Sequence, residues 1–311
     1  MRRRDFISAL GGAAAWPITA RAQQPVRMRR IGALMGYPEA QSELASFLQE
    51  LQKLGWVEGR NFRIDTRWGI PADPDSMHRF ARELVALQPD LILSQSTPAT
   101  AALLQETRII PIVFAVVADP VGSGFVASLA RPGGNVTGFV VTGGGGGGKW
   151  LELLREIAPR VTRVAALFNP AMAPYAEYWL DSFKAAAASF AVEAIRAPIH
   201  DSSELESIIA AQAREPNSGL FVLPDAFTFA YRVEIVSLAA RYRLPTVYAF
   251  RFFTALGGLL SYGNDLNDNF RRAGTYADRI LKGEKPSELP VQAPVKFQLV
   301  INLKTAKTLG P

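Results

Sequence analysis

The chain has 311 residues, 49% of them hydrophobic and 20% charged, with two histidines and no cysteine. That length suits two domains of about 100–150 residues. The missing cysteine excludes disulfides, a thiol nucleophile, a thiolate metal site and a lipid-bearing cysteine, and two histidines far apart exclude a multi-histidine zinc centre.

The formal charge of +6 is concentrated at the start. The first 22 residues hold four arginines and one aspartate, leaving 30 basic against 27 acidic residues, a net of +3. That is no nucleic-acid footprint, and no dense basic block stands elsewhere. Arg3-Arg4-Asp5-Phe6-Ile7 is followed by a short apolar stretch, residues 8–18, and by Ala20-Arg21-Ala22. A charged start, a short apolar run and a small-x-small site read as a cleaved export signal of the twin-arginine type, residues 1–22. Pro17 and Arg21 interrupt the stretch, which is too short to span a bilayer needing about 20 apolar residues. The expected location is the periplasm.

After the signal, short β-rich runs alternate with longer helical patterns. Residues 31–35 read as a buried strand. Residues 39–54 carry a helical stripe (Leu44, Phe47, Leu48, Leu51, Leu54) that ends at Gly55. Residues 61–68 alternate as a strand, 74–87 as a helix and 90–94 as a strand. Thr97-Pro98 opens a third helix, proline being tolerated in its first turn. Residues 111–117 form the next strand.

The rhythm restarts after residue 150. Helices are expected at 149–157, 175–190, 203–213, 228–242 and 267–282. Strands are expected at 163–168, 193–197, 219–223 and 246–248, with a further β-rich run at 295–299. Strands separated by helices of this length imply βαβ units, hence two doubly wound α/β lobes with parallel sheets. Six glycines, residues 143–148, lie where the two series meet and read as an interdomain connection. With Lys149 they match a phosphate-loop spacing only formally. A homopolymer matches any glycine pattern, and Trp150 stands where a Mg²⁺-binding hydroxyl is needed.

Catalytic chemistry is hard to find. There is no G-x-S-x-G elbow. His78 and His200 sit on polar helix starts and read as surface residues, and no carboxylate pair converges. The expectation is no catalytic residue, metal or cofactor. Ligands of doubly wound sheets bind at the carboxyl ends of the strands. The loops there carry Tyr37, Ser96-Thr97 at a helix N-terminus, Val117 and Asp119, and in the second half Asn169, Asp225 and Tyr248. Hydroxyls, a carboxylate and aromatic faces around a cleft make a small-molecule site. A helix N-terminus receives a carboxylate well. Phe227, Phe229, Tyr231, Phe250, Phe252 and Phe253 crowd the same region. One or two are expected to stack on a planar ligand, with Asp225 meeting an ammonium, while most belong to the core.

The order of several motifs carries a family likeness. Leu54-Gly55-Trp56-Val57-Glu58-Gly59-Arg60-Asn61 is followed by Ser96-Thr97-Pro98-Ala99-Thr100 and Ile110-Pro111-Ile112-Val113-Phe114. Then come Asp119-Pro120-Val121-Gly122 and Pro132-Gly133-Gly134-Asn135-Val136-Thr137-Gly138. The chain resembles the substrate-binding proteins of ABC importers, in the family that includes tryptophan- and tyrosine-type binders. The resemblance implies the type I periplasmic-binding fold: two lobes, joined by three hinge crossovers, closing on a ligand. It places residues 29–141 and 258–286 in the N-terminal lobe, and 142–257 and 287–311 in the C-terminal lobe. It implies that Tyr37, Ser96, Thr97, Val117, Asp119, Asn169, Asp225 and Tyr248 lie on the ligand loops. It also implies a monomer that delivers a small organic solute, an aromatic amino acid or a relative of one, to a permease and its ATPase in the inner membrane. An exported hydrolase and a sensory binding protein for a membrane receptor are the alternatives. The glycine run departs from the family, whose members carry mixed residues there.

Overall fold

The computed structural model describes residues 27–37, 40–70, 73, 75–141 and 146–310. The expected signal, residues 1–22, lies outside the described residues.

In the first half, buried apolar runs form β1 (Arg29–Met35), β2 (Phe62–Trp68), β3 (Leu91–Ser94), β4 (Ile112–Val117) and β5 (Val136–Val140). They pair in parallel in the order β2-β1-β3-β4-β5. Helix α1 (Gln41–Lys53) buries Leu44, Phe47 and Leu51 on one side of this sheet, and α2 (Asp75–Ala86) and α3 (Thr97–Glu106) cover the other. Both faces are covered, which is why these strands read as nearly continuous hydrophobic runs.

The second half gives α4 (Gly146–Ile157), β6 (Arg163–Phe168), α5 (Ala176–Ser189), β7 (Glu193–Pro198), α6 (Leu205–Arg214) and β8 (Ser218–Val222). Two helices follow, α7 (Ala226–Ala230) and α8 (Arg232–Arg241), where one helix was expected; the chain breaks between them at Tyr231. Then come β9 (Thr246–Tyr248), α9 (Arg251–Ala255) and β10 (Leu260–Asn264). The last elements are α10 (Leu266–Leu281), β11 (Phe297–Ile301) and α11 (Leu303–Leu309). The second sheet runs β11-β10-β9-β8-β6-β7, with β11 its one antiparallel member. The molecule is a pair of doubly wound α/β lobes.

The chain passes between lobes three times: from β5 to α4, from β10 to α10, and after Gln292 into β11. The lobe assignments expected from the sequence differ here at two places. Residues 258–264 were expected in the first lobe, but β10 pairs with β9 and β11 in the second sheet. Residues 287–292 were expected in the second lobe, but Gln292 bonds the backbone of Gly138 and Val140, and Thr137 donates its hydroxyl to the Leu289 carbonyl. Only α10 returns fully to the first lobe, packing on α1, β3, β4 and β5. Asn269 fastens it there, its Nδ2 donating to the carbonyls of Ala115 (2.9 Å) and Val140 (3.1 Å).

The glycine run is not a simple linker along its whole length. Gly146, Gly147 and Gly148 form the first turn of α4, which lies tightly on α5. A Cβ on Gly147 would sit 2.5 Å from the Trp179 carbonyl oxygen, and one on Gly146 would sit 2.4 Å from the Trp179 ring. Glycine in a helix ordinarily costs about 1 kcal/mol relative to alanine. Here the close approach reverses the sign. Gly147→Ala should lower stability by about 1–3 kcal/mol, the usual cost of overpacking, and a urea melt reads it. Lys149 pairs with Glu152 at 2.9 Å on the same helix rather than facing the glycines.

A candidate ligand cleft between the lobes

The order of each sheet reverses once, and the two reversals create the site. In the first sheet β1 has β2 on one side and β3 on the other, so the loops after β1 and β3 leave in opposite directions and open a crevice. Gln95 spans it: its buried Oε1 accepts the Gly36 N–H at 2.9 Å. In the second sheet β6 lies between β8 and β7. Asp225 spans that reversal in the same manner, its Oδ2 accepting the Asn169 N–H at 3.0 Å.

Between the two crevices lies a cleft of about 450 Å³. The first lobe supplies Gly36 and Tyr37, the Ser96-Thr97-Pro98 turn, Val116 and Ala118, with Met77 and His78 from α2. The second supplies Met172 and Tyr175, Pro224-Asp225-Ala226, Phe229 and Phe250. The walls are mainly apolar and aromatic, with few polar groups, as in sites for small organic molecules. Among the described lining residues there is no lysine or arginine.

Two polar centres stand out. The first is the start of α3. Ser96 caps it, accepting the Ala99 N–H at 3.4 Å, and holds φ at 92°, an uncommon backbone for a side-chain-bearing residue. Such strain clusters at functional sites. With Thr97, Ser96 brings hydroxyls and the positive end of a ten-residue helix to the cleft wall. The second is Asp225. Its Oδ1 accepts the Thr228 N–H at 2.7 Å, and Thr228 returns its hydroxyl oxygen to the Asp225 N–H at 3.2 Å, a reciprocal cap on α7. Asp225 is 6% exposed, and burial pushes its carboxyl up to about 6 against the pull of these hydrogen bonds. Beside it the Tyr175 hydroxyl donates to the Pro224 carbonyl at 2.9 Å; burial and the nearby Asp225 carboxylate hold its own proton on more firmly than usual.

Across the cleft the rings of Tyr37 and Phe229 stack with centroids 3.7 Å apart, one from each lobe. The Arg232 guanidinium lies 4.4 Å from the other side of the Phe229 ring, and Phe252 meets it edge-on at 5.1 Å.

Of the residues expected on the ligand loops, Tyr37, Ser96, Thr97 and Asp225 line this cleft. Val117 does not: it is buried in the first-lobe core, and its neighbours Val116 and Ala118 face the cleft instead. Asp119 turns to the Gly122 N–H at 2.8 Å and is not in the wall. Asn169 is buried and holds its own turn, its Oδ1 accepting the N–H groups of Ala171 and Met172. Tyr248 is fully buried and stacks on Phe253 at 4.7 Å. His78, expected as a surface group, lines the cleft. Met172 and Tyr175 were not expected; they follow the β6 loop, and sequence periodicity does not say which way that turn faces.

The profile of the ABC transporter substrate binding protein family matches residues 34–310. A tyrosine-binding protein of Clostridioides difficile (strain R20291) is 26% identical over 282 residues, 90% of this chain and 79% of the relative. Among solved structures, the ABC domain from Streptococcus pneumonia in complex with L-Trp superposes with a TM-score of 0.84 at 25% identity, over 91% of this chain and 95% of that one. The ligand-free, open structure of a substrate binding protein with adhesive properties from Clostridium difficile has the same identity and coverage but a TM-score of 0.69.

Proposed function

The chain belongs to the family of ABC transporter substrate-binding proteins, and from that premise we propose that its cleft captures an aromatic amino acid or a closely related aromatic compound. Capture of a small solute for an ABC importer, outside the cytoplasm, is the family's function. The carrying observation for the ligand class is the pairing of Asp225 with the start of α3 on opposite walls of a mainly apolar cleft, with Asp73, His78 and Gln105 the other polar side chains that line it. A zwitterion fits such a pair: its carboxylate meets the helix N-terminus with Ser96 and Thr97, and its ammonium meets Asp225. Tyr175 and Phe250 then offer faces to an aromatic side chain. The L-Trp-bound and tyrosine-binding relatives support the same class.

The ligand leaves chemically unchanged. The cleft holds, binds and releases, with closure of the lobes as the only working step. Delivery is to a permease and its ATPase in the inner membrane, by a monomer. Residues 1–22 serve as a twin-arginine export signal cleaved after Ala22, which puts the mature chain in the periplasm.

A thermal-shift panel tests this reading. A ligand at 100 times its dissociation constant adds about 2.7 kcal/mol to stability. L-Tryptophan, L-tyrosine or L-phenylalanine should raise the melting temperature. A shift with sugars and none with aromatic amino acids would refute the ligand class.

A further inference from the structure

β11 is an outer strand of the second sheet, paired only with β10. The Asp265 N–H donates to the Lys296 carbonyl, and the Asn302 N–H to the Leu259 carbonyl. Antiparallel bonding alternates along a strand, so residues 296, 298, 300 and 302 turn their backbone groups to β10. Phe297, Leu299 and Ile301 turn theirs to the open edge. The same three side chains share one face of the pleat. They are 45%, 49% and 40% exposed, and Val295 and Leu303, each 69% exposed, extend the row at its two ends.

The open edge of a sheet invites pairing, and proteins usually blunt it with charge or proline. Two other edge strands here are blunted: β2 carries Arg63, Asp65 and Arg67, and β7 carries Glu193, Arg196 and Pro198. β11, Phe297-Gln298-Leu299-Val300-Ile301, carries neither charge nor proline. The Phe297 ring stacks on Tyr262 with centroids 5.6 Å apart and still keeps nearly half its surface in solvent. An apolar row that doubles as a free hydrogen-bonding edge suits an added strand.

We propose that this edge pairs with the β11 edge of a second copy of the chain, antiparallel about a two-fold axis at Leu299. The sequence fits itself in that register. Leu299 faces Leu299 of the second copy, Phe297 faces its Ile301 and Val295 its Leu303, so apolar side chains meet along the whole row. The three strand residues of each copy exchange backbone hydrogen bonds, about six in all. On the other face Gln298 meets Val300 and Lys296 meets Asn302, so no like charges are opposed. Lys296 is already held by Asp268 at 2.9 Å. The axis uses the open edge of both copies, which closes the assembly at two. About 1,000 Å² is buried in total, the size of a weak, reversible contact. None of the residues lining the cleft lies on β11, so each copy keeps its own cleft, and the single chain that delivers solute is the dissociated form.

Sedimentation velocity of the protein from about 1 to about 500 μM, the range a weak contact occupies, tests the pairing. The average mass should rise with concentration from one chain towards two and go no further. Leu299→Lys and Leu299→Glu each set like charges face to face on the axis. Either variant alone should pair at least tenfold more weakly than wild type, while an equal mixture of the two should regain pairing. Ile301→Lys, off the axis, should also weaken pairing at least tenfold, which covers the case of a Leu299 variant that folds poorly; thermal melts identify the folded variants. A wild type that stays single throughout, assembly beyond two copies, undiminished pairing by a folded variant, or a mixture of folded Leu299 variants that stays single overturns the proposal. No ligand is needed, so the result stands apart from what the cleft binds.

Discussion

Replacing Asp225 by asparagine should cost at least 100-fold in affinity for an aromatic amino acid at pH 7. The substitution keeps the volume and an oxygen that can cap α7, since asparagine caps helices about as well as aspartate. It removes the charge. An ammonium held by a buried carboxylate loses a charge-assisted hydrogen bond, and about 2.7 kcal/mol corresponds to the 100-fold fall. Stability feels two opposed changes: a charge that burial penalises is removed, and the Asn169 N–H, now accepted by Oδ2, faces an amide NH2 instead.

The sign with pH follows from the direction of that shift. The Asp225 carboxyl titrates near 6 in the folded chain, against 3.8 without the burial. Between those values the folded protein keeps a proton that the unfolded chain has lost. The stability this supplies is fully present below pH 3.8 and is lost as pH rises through about 6. It amounts to about 3 kcal/mol at most, at 1.36 kcal/mol per unit. Asp65 and Asp90 act in the opposite sense. Arg30 bonds the Asp65 carboxylate, and the Arg30 N–H with Arg29 bonds that of Asp90, so both are held below their usual range. Their contribution fades as pH falls below 3.8. The difference in stability between wild type and Asp225→Asn, measured by urea melts from pH 4 to 7.5, isolates the Asp225 contribution. The variant should gain on wild type across that range and level off above pH 7. Affinity of wild type for the zwitterion should drop about tenfold per unit below pH 6, where the carboxyl takes up its proton.

Phe229→Ala should weaken ligand binding about 2- to 10-fold by a different route. The Tyr37–Phe229 stack joins the two lobes, so it exists only when they are closed. Aromatic pairs contribute about 0.5–1.5 kcal/mol beyond the area they bury. Losing the pair lowers the closed fraction, and apparent affinity falls by that fraction. Truncating a ring that is 7% exposed also removes packing against Phe252 and Arg232 within the second lobe. A double-mutant cycle with Tyr37→Ala separates the two effects. The latch appears as a coupling energy of about 1 kcal/mol in ligand binding, and small-angle scattering of the single variants should show more open lobes. Additive losses would assign Phe229 to the second-lobe core alone.

The fold was largely legible because buried parallel strands are apolar without interruption, as at Ile31, Leu91 to Leu93 and Val164 to Phe168, while the helices between them carry stripes. β5 was not legible. Val136-Thr137-Gly138-Phe139-Val140 contains a glycine, needed because a Cβ on Gly138 would meet the Phe114 carbonyl at 2.0 Å. The loops of the site were readable from strand ends, but the side chains facing the cleft were readable only in part. At the end of β4 successive residues point to opposite faces, so choosing Val117 in place of Val116 or Ala118 meant choosing the core. Tyr248 failed similarly: its ring belongs under the sheet, and Phe250, past the strand end, reaches the cleft. Asn169 carries the polar chemistry of a ligand group but spends it on its own turn. The lobe boundaries were misplaced because strand pairing is long-range: nothing local in residues 260–264 says that they join β9 rather than β5.

The central claim is that the cleft binds a small aromatic zwitterion and returns it intact. Calorimetric titration of the protein with L-tryptophan and L-tyrosine, followed by chromatography of the recovered ligand, tests it directly. The account predicts saturable binding at one molecule per cleft, with a negative heat-capacity change from buried apolar surface and full recovery of the unaltered amino acid. Saturation by a sugar with no binding of either amino acid, or steady conversion of the added compound, would contradict it.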